Sequence, residues 1–87
     1  MSKYFLYIIK CSDQTLYTGI TTNLERRQEE HNSSTLGARY TRSRRPVELV
    51  YFKRFNNRSL ASKEESRVKK LSRSKKLEMI GLSKQIS

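Results

Sequence analysis

Several residue types are scarce in this sequence, and each scarcity narrows what the protein can be. Cys11 is the only cysteine, which excludes a disulfide within the chain and a cysteine-based metal cluster. His31 is the only histidine, which excludes zinc sites built from several histidines. Any bound metal must therefore be a hard ion held by oxygen ligands.

Long hydrophobic runs are also missing. No apolar stretch approaches the roughly 18 residues that a membrane span needs. The apolar run Tyr4–Ile9 is shorter than the ~7–15 residues of a signal-peptide core, and no small-residue cleavage site follows it. We therefore expect a cytoplasmic protein with no membrane partner.

Acidic residues are few relative to basic ones. Nineteen Lys+Arg against eight Asp+Glu give a formal net charge of +11 on 87 residues. This excess predicts a polyanionic partner, most commonly nucleic acid, because an anionic membrane surface would also require an apolar patch. Only 34% of the residues are hydrophobic, which predicts one small domain with a thin core. We place this domain at residues 1–81 and expect residues 82–87 to form a frayed tail.

Three β-forming runs and the helical patterns between them predict the architecture. The runs are Tyr4–Ile9, Leu16–Ile20 and Val47–Phe55, the last with a buried centre at 49–52. The predicted helices cover about 23–32, from the cap candidates at 56–59 to about 71, and 72–80. Thr22 and Glu25 have the spacing of a capping box at the start of the first helix.

The link between the first two runs determines where two tyrosines point. Neither Asp13 nor Gln14 is a glycine, which the tight primed turns prefer, so we expect a longer loop with an odd number of residues. Such a loop pairs odd positions with odd positions, which places Tyr7 and Tyr17 on one face of the sheet. Gly19 lies on the same face and leaves an open spot beside Tyr17.

Polar residues also occur on the helical faces that are predicted to meet the sheet. Leu24, Arg27 and His31 fall at i, i+3 and i+7, so they share one stripe. Because Leu24 is apolar, Arg27 and His31 are expected at the edge of the buried face. In the later helix, Glu64 and Glu65 both lie on or beside a narrow apolar face. An inward carboxylate is unusual unless it is paired or binds a metal.

At this level of detail the sequence resembles the GIY-YIG endonuclease domain, and in particular the small bacterial proteins made of that domain alone. Phe5-Leu6-Tyr7 stands at the first motif, Tyr17-Thr18-Gly19 at the second, and the helix Leu24–His31 follows at the expected distance. Further similarity lies at Ala38–Val50 and at Glu65–Arg73. The Gly and Ile of the first motif are Phe5 and Leu6 here, a change that leaves the tyrosine in place. Several motifs match the family at the expected spacing, which is far more specific than a match to a single three-residue motif.

The resemblance implies an α/β (α+β) fold with a small three-stranded antiparallel sheet flanked by three to four helices. It also implies hydrolysis of DNA with one divalent ion, Mg²⁺ or Mn²⁺. Branched or nicked DNA, met in repair or recombination, is among the candidate substrates. Carried over by position, the catalytic residues are Tyr7, Tyr17, Gly19, Arg27, His31 and Glu65. Of these, Glu65 is the metal ligand.

The chemistry of phosphodiester hydrolysis suggests a role for each group. Glu65 would hold the hard ion, and Arg27 would neutralise developing charge with its planar fork. Tyr7 is the candidate acceptor of the proton from water, although its ordinary pKa of about 10 must first be lowered by Arg27, the metal or His31. Tyr17 would orient the water or the phosphate, and His31 would support Tyr7 through a hydrogen bond.

Each of these residues also has a structural alternative. The tyrosines could be ordinary packing in a strand, and Gly19 could mark a β-bulge. The helix arginine could belong to a solvated face, and His31 could be a favourable cation near a helix C-terminus. Glu65 could form an i,i+4 ion pair with Lys69, and Glu64 is the second candidate for the metal ligand.

Basic residues outside the motifs are predicted to contact phosphates and to make binding steeply salt-dependent. They are Arg39, Arg42, Arg44 and Arg45 in one segment, and Lys69, Lys70 and Arg73 in another. Two alternatives to an enzyme remain. One is a non-catalytic nucleic-acid-binding module that retains the nuclease fold. The other is a ribosome-associated RNA-binding protein, which would prefer RNA and need no metal.

Overall fold

The computed structural model describes residues 3–33 and 39–86, with side chains for 3–33 and 41–81. In order along the chain, its elements are β1 (Tyr4–Lys10), β2 (Leu16–Thr21), α1 (Leu24–Ser33), α2 (Arg39–Arg42), β3 (Glu48–Phe55), α3 (Arg58–Lys69) and α4 (Arg73–Ile86). The strands pair antiparallel in the order β2-β1-β3. The predicted α+β class, a three-stranded antiparallel sheet flanked by helices, is confirmed. In the described part of the chain, no helix is long and apolar enough to cross a membrane.

The register of the hairpin places both motif tyrosines on one face. Pairing between β1 and β2 stops on either side of residues 11–15, which form a loop with an odd number of residues. Tyr7 lies opposite Gly19, and Ile9 lies opposite Tyr17. Residues that oppose one another in an antiparallel pair point to the same side. The expected odd loop and shared face are therefore what the structure has.

Because β1 lies between two strands and helices cover the sheet, both of its faces are buried. On one face, Leu6 and Ile8 pack against Val68 of α3 and Ile80 of α4. The other face carries a second cluster, made of Tyr7, Ile9, Cys11 and Val47. Burying an aliphatic side chain stabilises a fold by about 1.5–3 kcal/mol, so each face holds a helical layer in place. Tyr7 thereby belongs to a packed layer and not to the protein surface.

The start of α1 differs from the prediction. The side chain of Asn23 caps the helix, since its Oδ1 accepts a hydrogen bond from the Arg26 N–H at 3.0 Å. Thr22 is exposed, and the hydroxyl that accepts from the Asn23 N–H belongs to Thr21, at 3.2 Å. The predicted capping box of Thr22 and Glu25 is therefore wrong by one residue. Asparagine and threonine are both good caps, so their order alone could not decide between them.

The third strand is more exposed than its sequence predicted. Leu49, Val50 and Tyr51 are half-buried, and Phe52 is 55% exposed. β3 is an edge strand of the sheet, with β1 on one side only. Its pairing with β1 also shifts register between Ile8 and Ile9. The expectation of a buried centre at 49–52 is thus wrong at Phe52.

Two helical segments extend beyond the helices that the sequence predicted. The single turn α2 was not predicted, because Arg39–Arg42 has no periodic apolar pattern. α4 runs through Ile86, across most of the expected tail at 82–87. Ser87 and the side chains of 82–86 lie outside the described residues.

Candidate active site

Tyr7 and His31 form the buried centre of a polar cluster between the sheet and α1. Tyr7 is 3% exposed and His31 is 0% exposed. The Tyr7 hydroxyl lies 2.9 Å from His31 Nε2. The ring of Tyr17 meets the same imidazole edge-on, with ring centroids 5.4 Å apart. Groups from β1, β2 and α1 that the sequence analysis assigned to one site are therefore in contact.

His31 is held in its neutral form. Burial, followed by the nearby charge of Arg27, lowers the pKa of His31 from 6.5 to about 4. Its Nδ1 lies 2.8 Å from the hydroxyl of Thr41, which is also completely buried. A neutral imidazole carries one N–H and one lone pair, so one hydroxyl accepts from the ring and the other donates to it. This environment is incompatible with the alternative of a solvated cation at the end of the helix.

Arg27 lies at the partly exposed edge of the cluster. Its Nε donates to the Tyr7 hydroxyl at 3.4 Å, and its Nη1 pairs with Glu30 at 2.9 Å. The Arg27 side chain is 25% exposed, whereas that of its neighbour Arg26 is 61% exposed. The two adjacent arginines therefore differ: Arg26 belongs to the solvated face, and Arg27 faces the buried phenol.

The position of Tyr7 raises its pKa. Burial is the largest cause, and the hydrogen bond and charge of Arg27 oppose it without cancelling it. The charges of Tyr17 and Glu65 add to the rise. Tyr7 is therefore protonated near neutral pH. Further positive charge near its hydroxyl is required before Tyr7 can take a proton from water.

Gly19 allows the Tyr7 ring to lie against β2. A Cβ at this position would stand 2.5 Å from the Tyr7 hydroxyl oxygen and 2.7 Å from Cζ. The pairing of β1 with β2 is regular on both sides of Gly19, so no bulge explains the residue. The glycine is required by the close approach of the phenol. The sequence predicted an open spot here, beside Tyr17, and in the structure the ring of Tyr7 fills it.

The two candidate carboxylates of α3 point in different directions. Residues one apart on a helix are separated by about 100°, so Glu64 and Glu65 cannot share one direction. Glu64 pairs with Arg67 at 2.6 Å, and its charge helps to raise the pKa of Tyr51. The charge of Glu65 instead helps to raise the pKa of Tyr7, as the smallest of the causes. Of the pair, Glu65 is therefore the carboxylate whose charge contributes to the raised pKa of Tyr7.

The surroundings of Glu65 decide which metal it could hold. Its side chain is 21% exposed, and Lys69 approaches it at 3.3 Å, which is the ion pair of the structural alternative. Over residues 3–33 and 39–86, no group of three or more His, Cys, Asp or Glu could hold a metal ion. A single accessible carboxylate fits Mg²⁺, which keeps several waters and takes further oxygens from substrate phosphates. It does not fit a closed zinc site.

Two of the arginines predicted to contact phosphates make contacts within the protein. Arg44 pairs with Asp13 of the hairpin loop at 3.0 Å. Arg45 donates to the carbonyl oxygens of His31 and Glu30, near the C-terminal end of α1. These contacts tie the 41–47 segment to the hairpin and to the helix. Both arginines therefore help to position the cluster.

The remaining basic residues of the prediction have other surroundings. Arg42 is exposed, and the side chain of Arg39 lies outside the described residues. Lys70 and Arg73 are exposed at the junction of α3 and α4, whereas Lys69 pairs with Glu65. Of the predicted phosphate-binding residues with described side chains, Arg42, Lys70 and Arg73 are exposed and stay candidates for phosphate contacts.

Three residues of the cluster were missed by the sequence analysis. Glu30, the partner of Arg27, had a signal, because the two are spaced i,i+3 on a helix. Thr41 had none, since nothing in a run of arginines marks one threonine as buried. Asn32 was also missed. Its amide exchanges two hydrogen bonds with the backbone of Val47, at 3.1 and 2.7 Å, and fastens the end of α1 to the start of β3.

The chain is similar to known proteins along most of its length. The sequence model of the GIY-YIG catalytic domain matches residues 3–78. A UPF0213 protein of Syntrophus aciditrophicus is 52% identical over 80 residues, which is 92% of this chain and 92% of that protein. A UPF0213 protein of Desulfotalea psychrophila is 58% identical over 80 residues, covering 92% of this chain and 73% of its own length.

Solved structures show the same fold. The solution NMR structure of a UPF0213 protein from Bacillus halodurans has a TM-score of 0.60 and 41% identity, covering 92% of this chain and 84% of its own. A protein of E. faecalis, also solved by NMR, has a TM-score of 0.66 and 36% identity, covering 98% and 90%. Because the sequence model and these relatives span most of the chain, the protein belongs to the GIY-YIG catalytic domain family.

Proposed function

We propose that the protein is an endonuclease that hydrolyses DNA phosphodiester bonds with the help of one divalent ion. The observation that carries the proposal is the arrangement around a single phenol: the Tyr7 hydroxyl contacts His31 Nε2 at 2.9 Å and Arg27 Nε at 3.4 Å. Glu65 is near enough for its charge to act on the same phenol. The hydrogen bonds of this cluster hold the phenol, the imidazole and the guanidinium in one arrangement, and a catalytic site requires groups that are fixed in this way.

Arg27 is assigned to the phosphate. Its guanidinium is fixed at two ends, by the Tyr7 hydroxyl and by Glu30, at the partly exposed edge of the cluster. A planar, permanently charged group that is already oriented can stabilise the extra negative charge of a pentacoordinate phosphate without reorganising. Arg27 therefore contributes most in the transition state, where that charge is largest.

Tyr7 is assigned to the attacking water and His31 to the support of Tyr7. Because His31 is neutral, its two ring nitrogens have opposite roles. Nε2 accepts a hydrogen bond from the Tyr7 hydroxyl when Nδ1 donates to Thr41, and Nε2 donates to the Tyr7 oxygen when Nδ1 accepts from Thr41. In the first arrangement the phenol oxygen directs its lone pairs away from the imidazole, toward a substrate water. Tyr17, edge-on to His31, keeps the ring from turning and borders the same space.

Glu65 is assigned to Mg²⁺ or Mn²⁺. When bound, the ion would neutralise a non-bridging phosphate oxygen and stabilise the leaving oxygen. The positive charge that Glu65 attracts would also lower the pKa of Tyr7, which the carboxylate alone raises. Lys69 must release Glu65 for this to happen, and its 53% exposed side chain leaves it room to move.

The test is cleavage of branched, nicked and linear DNA in the presence of Mg²⁺ or Mn²⁺. Wild type should cut at least one of them, and Arg27→Ala and Glu65→Gln should lower the rate by about 10²-fold or more. Arg26→Ala and Glu64→Gln are matched controls, because each removes the neighbouring group of the same charge. Preference for branched or nicked DNA would support a role in repair or recombination.

Three results would overturn the proposal. Equal cleavage by wild type, Arg27→Ala and Glu65→Gln would identify a contaminating nuclease. Binding of DNA without cleavage under any metal condition would identify a non-catalytic nucleic-acid-binding module. Preference for RNA without a metal requirement would favour the RNA-binding alternative.

A further inference from the structure

An aromatic pair lies open to solvent on the face of the sheet that carries Tyr7. Phe52 is 55% exposed and Phe5 is half-buried. Their rings meet edge to face, with centroids 6.3 Å apart and planes 66° apart. Phe52 lies directly opposite Tyr7 in the pairing of β1 with β3, so the two side chains leave the sheet on the same side.

The phenylalanines are not part of the apolar cluster that α1 contacts on this face. Leu24 of α1 packs against the cluster of Tyr7 and Ile9, together with Tyr17 and Leu49. The Tyr7 ring itself lies over Gly19, on the β2 side of β1. The β3 side, beside Tyr7, is left to the phenylalanines. A single exposed aromatic residue is ordinary, but a pair of them bordering a polar cluster is not explained by packing.

Positive charge borders the aromatic pair. Arg54 lies opposite Phe5 in the register, on the same face, and is exposed. The chain as a whole carries a net charge of +11. An apolar partner protein would not require a guanidinium at this place. Aromatic side chains next to a basic group are the usual surface for unpaired nucleobases, whose faces stack on the ring while the phosphates meet the charge.

We propose that Phe52 and Phe5 form a stacking platform for an unpaired nucleobase next to the phosphate that is cut, with Arg54 contacting the backbone of that nucleotide. The position beside the cut phosphate rests on the proposed function. Opposed residues of neighbouring strands are about 5 Å apart, so the platform lies within one or two nucleotides of Tyr7. The substrate class that follows is DNA with a single-stranded segment at the cut, such as a flap or a fork, and not continuous duplex.

Binding to oligonucleotides that contain 2-aminopurine tests the platform without any need for cleavage. In EDTA, wild type should quench the fluorescence of 2-aminopurine in a single strand, because the base stacks. Phe52→Ala should remove the quenching and weaken binding to the single strand by about 5- to 100-fold. Phe52→Trp should restore both. Binding to a matched duplex should change less than about twofold, and Leu60→Ala, at a 43% exposed leucine of α3, should behave as wild type.

The outcomes separate this inference from the proposed function. If Arg27→Ala stops cleavage and keeps the quenching, both hold. If wild type cuts nothing but still quenches through Phe52, the platform holds and the endonuclease does not. Equal binding of wild type and Phe52→Ala to the single strand would overturn the platform. An equal loss of affinity for the single strand and for the duplex would also overturn it. So would a dimer, detected by sedimentation, that dissociates in Phe52→Ala, because the partner of the aromatic pair would then be a second copy of the chain.

Discussion

Replacing Gly19 with alanine gives a direct test of how tightly Tyr7 must be positioned. The added Cβ would stand 2.7 Å from Cζ of Tyr7, whereas non-bonded carbon atoms settle at about 3.5–4.0 Å. The ring must therefore move by about 1 Å. That movement disturbs the 2.9 Å contact between the Tyr7 hydroxyl and His31 Nε2, because His31 is itself fully buried and has little room to follow the ring.

We expect this variant to fold and to lose most of its activity. Overpacking of a core usually costs about 1–3 kcal/mol of stability. A misplacement of about 1 Å in a catalytic group can cost about 10²-fold in rate. The measurements are the cleavage rate at saturating DNA and the free energy of unfolding in urea. The rate should fall far more than the loss of stability explains.

Gly81→Ala is the matched control. A Cβ at this position in α4 would meet nothing within 4 Å. The substitution should raise stability by up to about 1 kcal/mol, because alanine is the better helix former, and should leave cleavage unchanged. Full activity of Gly19→Ala at wild-type stability would refute the reasoning, since it would show that the phenol can leave His31 without consequence.

Three further predictions concern proton positions in the cluster. Because Tyr7 is protonated near neutral pH and must lose its proton before it can accept one from water, the cleavage rate should rise with pH above about 7, by up to about tenfold per pH unit. Tyr7→Phe should remove this dependence, and a flat profile for wild type would contradict the role of Tyr7. The pKa of His31 is about 4 when folded and near 6.5 when unfolded, so the unfolded chain binds the extra proton between these values. The free energy of unfolding should therefore fall as the pH drops from 6.5 toward 4, by about 2–3 kcal/mol at pH 4.5. Urea titrations at pH 7 and pH 4.5 measure this fall, which should be smaller in His31→Gln than in wild type. Thr41→Val should lower stability by about 1–3 kcal/mol and slow cleavage, because it leaves His31 Nδ1 without its hydroxyl partner. Thr18→Val is the control, since the buried Thr18 hydroxyl has no hydrogen-bond partner in the described structure. Equal effects of the two substitutions would argue against a special role for Thr41.

The sequence predicted the parts of the site that follow from periodicity. Alternation along the hairpin places Tyr7 and Tyr17 on one face, and the i, i+4 spacing of Arg27 and His31 directs both toward it. These are properties of single elements, and a two-residue or 3.6-residue repeat is sufficient to read them.

The parts that were missed depend on contacts between elements distant in sequence. Thr41 is ten positions from His31, and its burial depends on how the 41–47 segment folds back onto α1. The exposure of Phe52 depends on which part of the sheet face other elements cover, which no strand pattern records. Likewise, periodicity could not choose between Glu64 and Glu65, because both flank the buried stripe and only the packed sheet distinguishes their directions.

The order of the strands has a consequence for how the site comes apart. Tyr7 lies on the central strand, whose backbone is paired on both sides, and its amide should be among the slowest to exchange with solvent. Arg27 and His31 lie on a ten-residue helix that is fastened to the sheet by side chains, among them Leu24 and Asn32. Local opening of that helix requires less free energy than melting the sheet. On warming, the guanidinium and the imidazole would leave the phenol while the strands remain paired, so the protein would stop cutting below the temperature at which it unfolds.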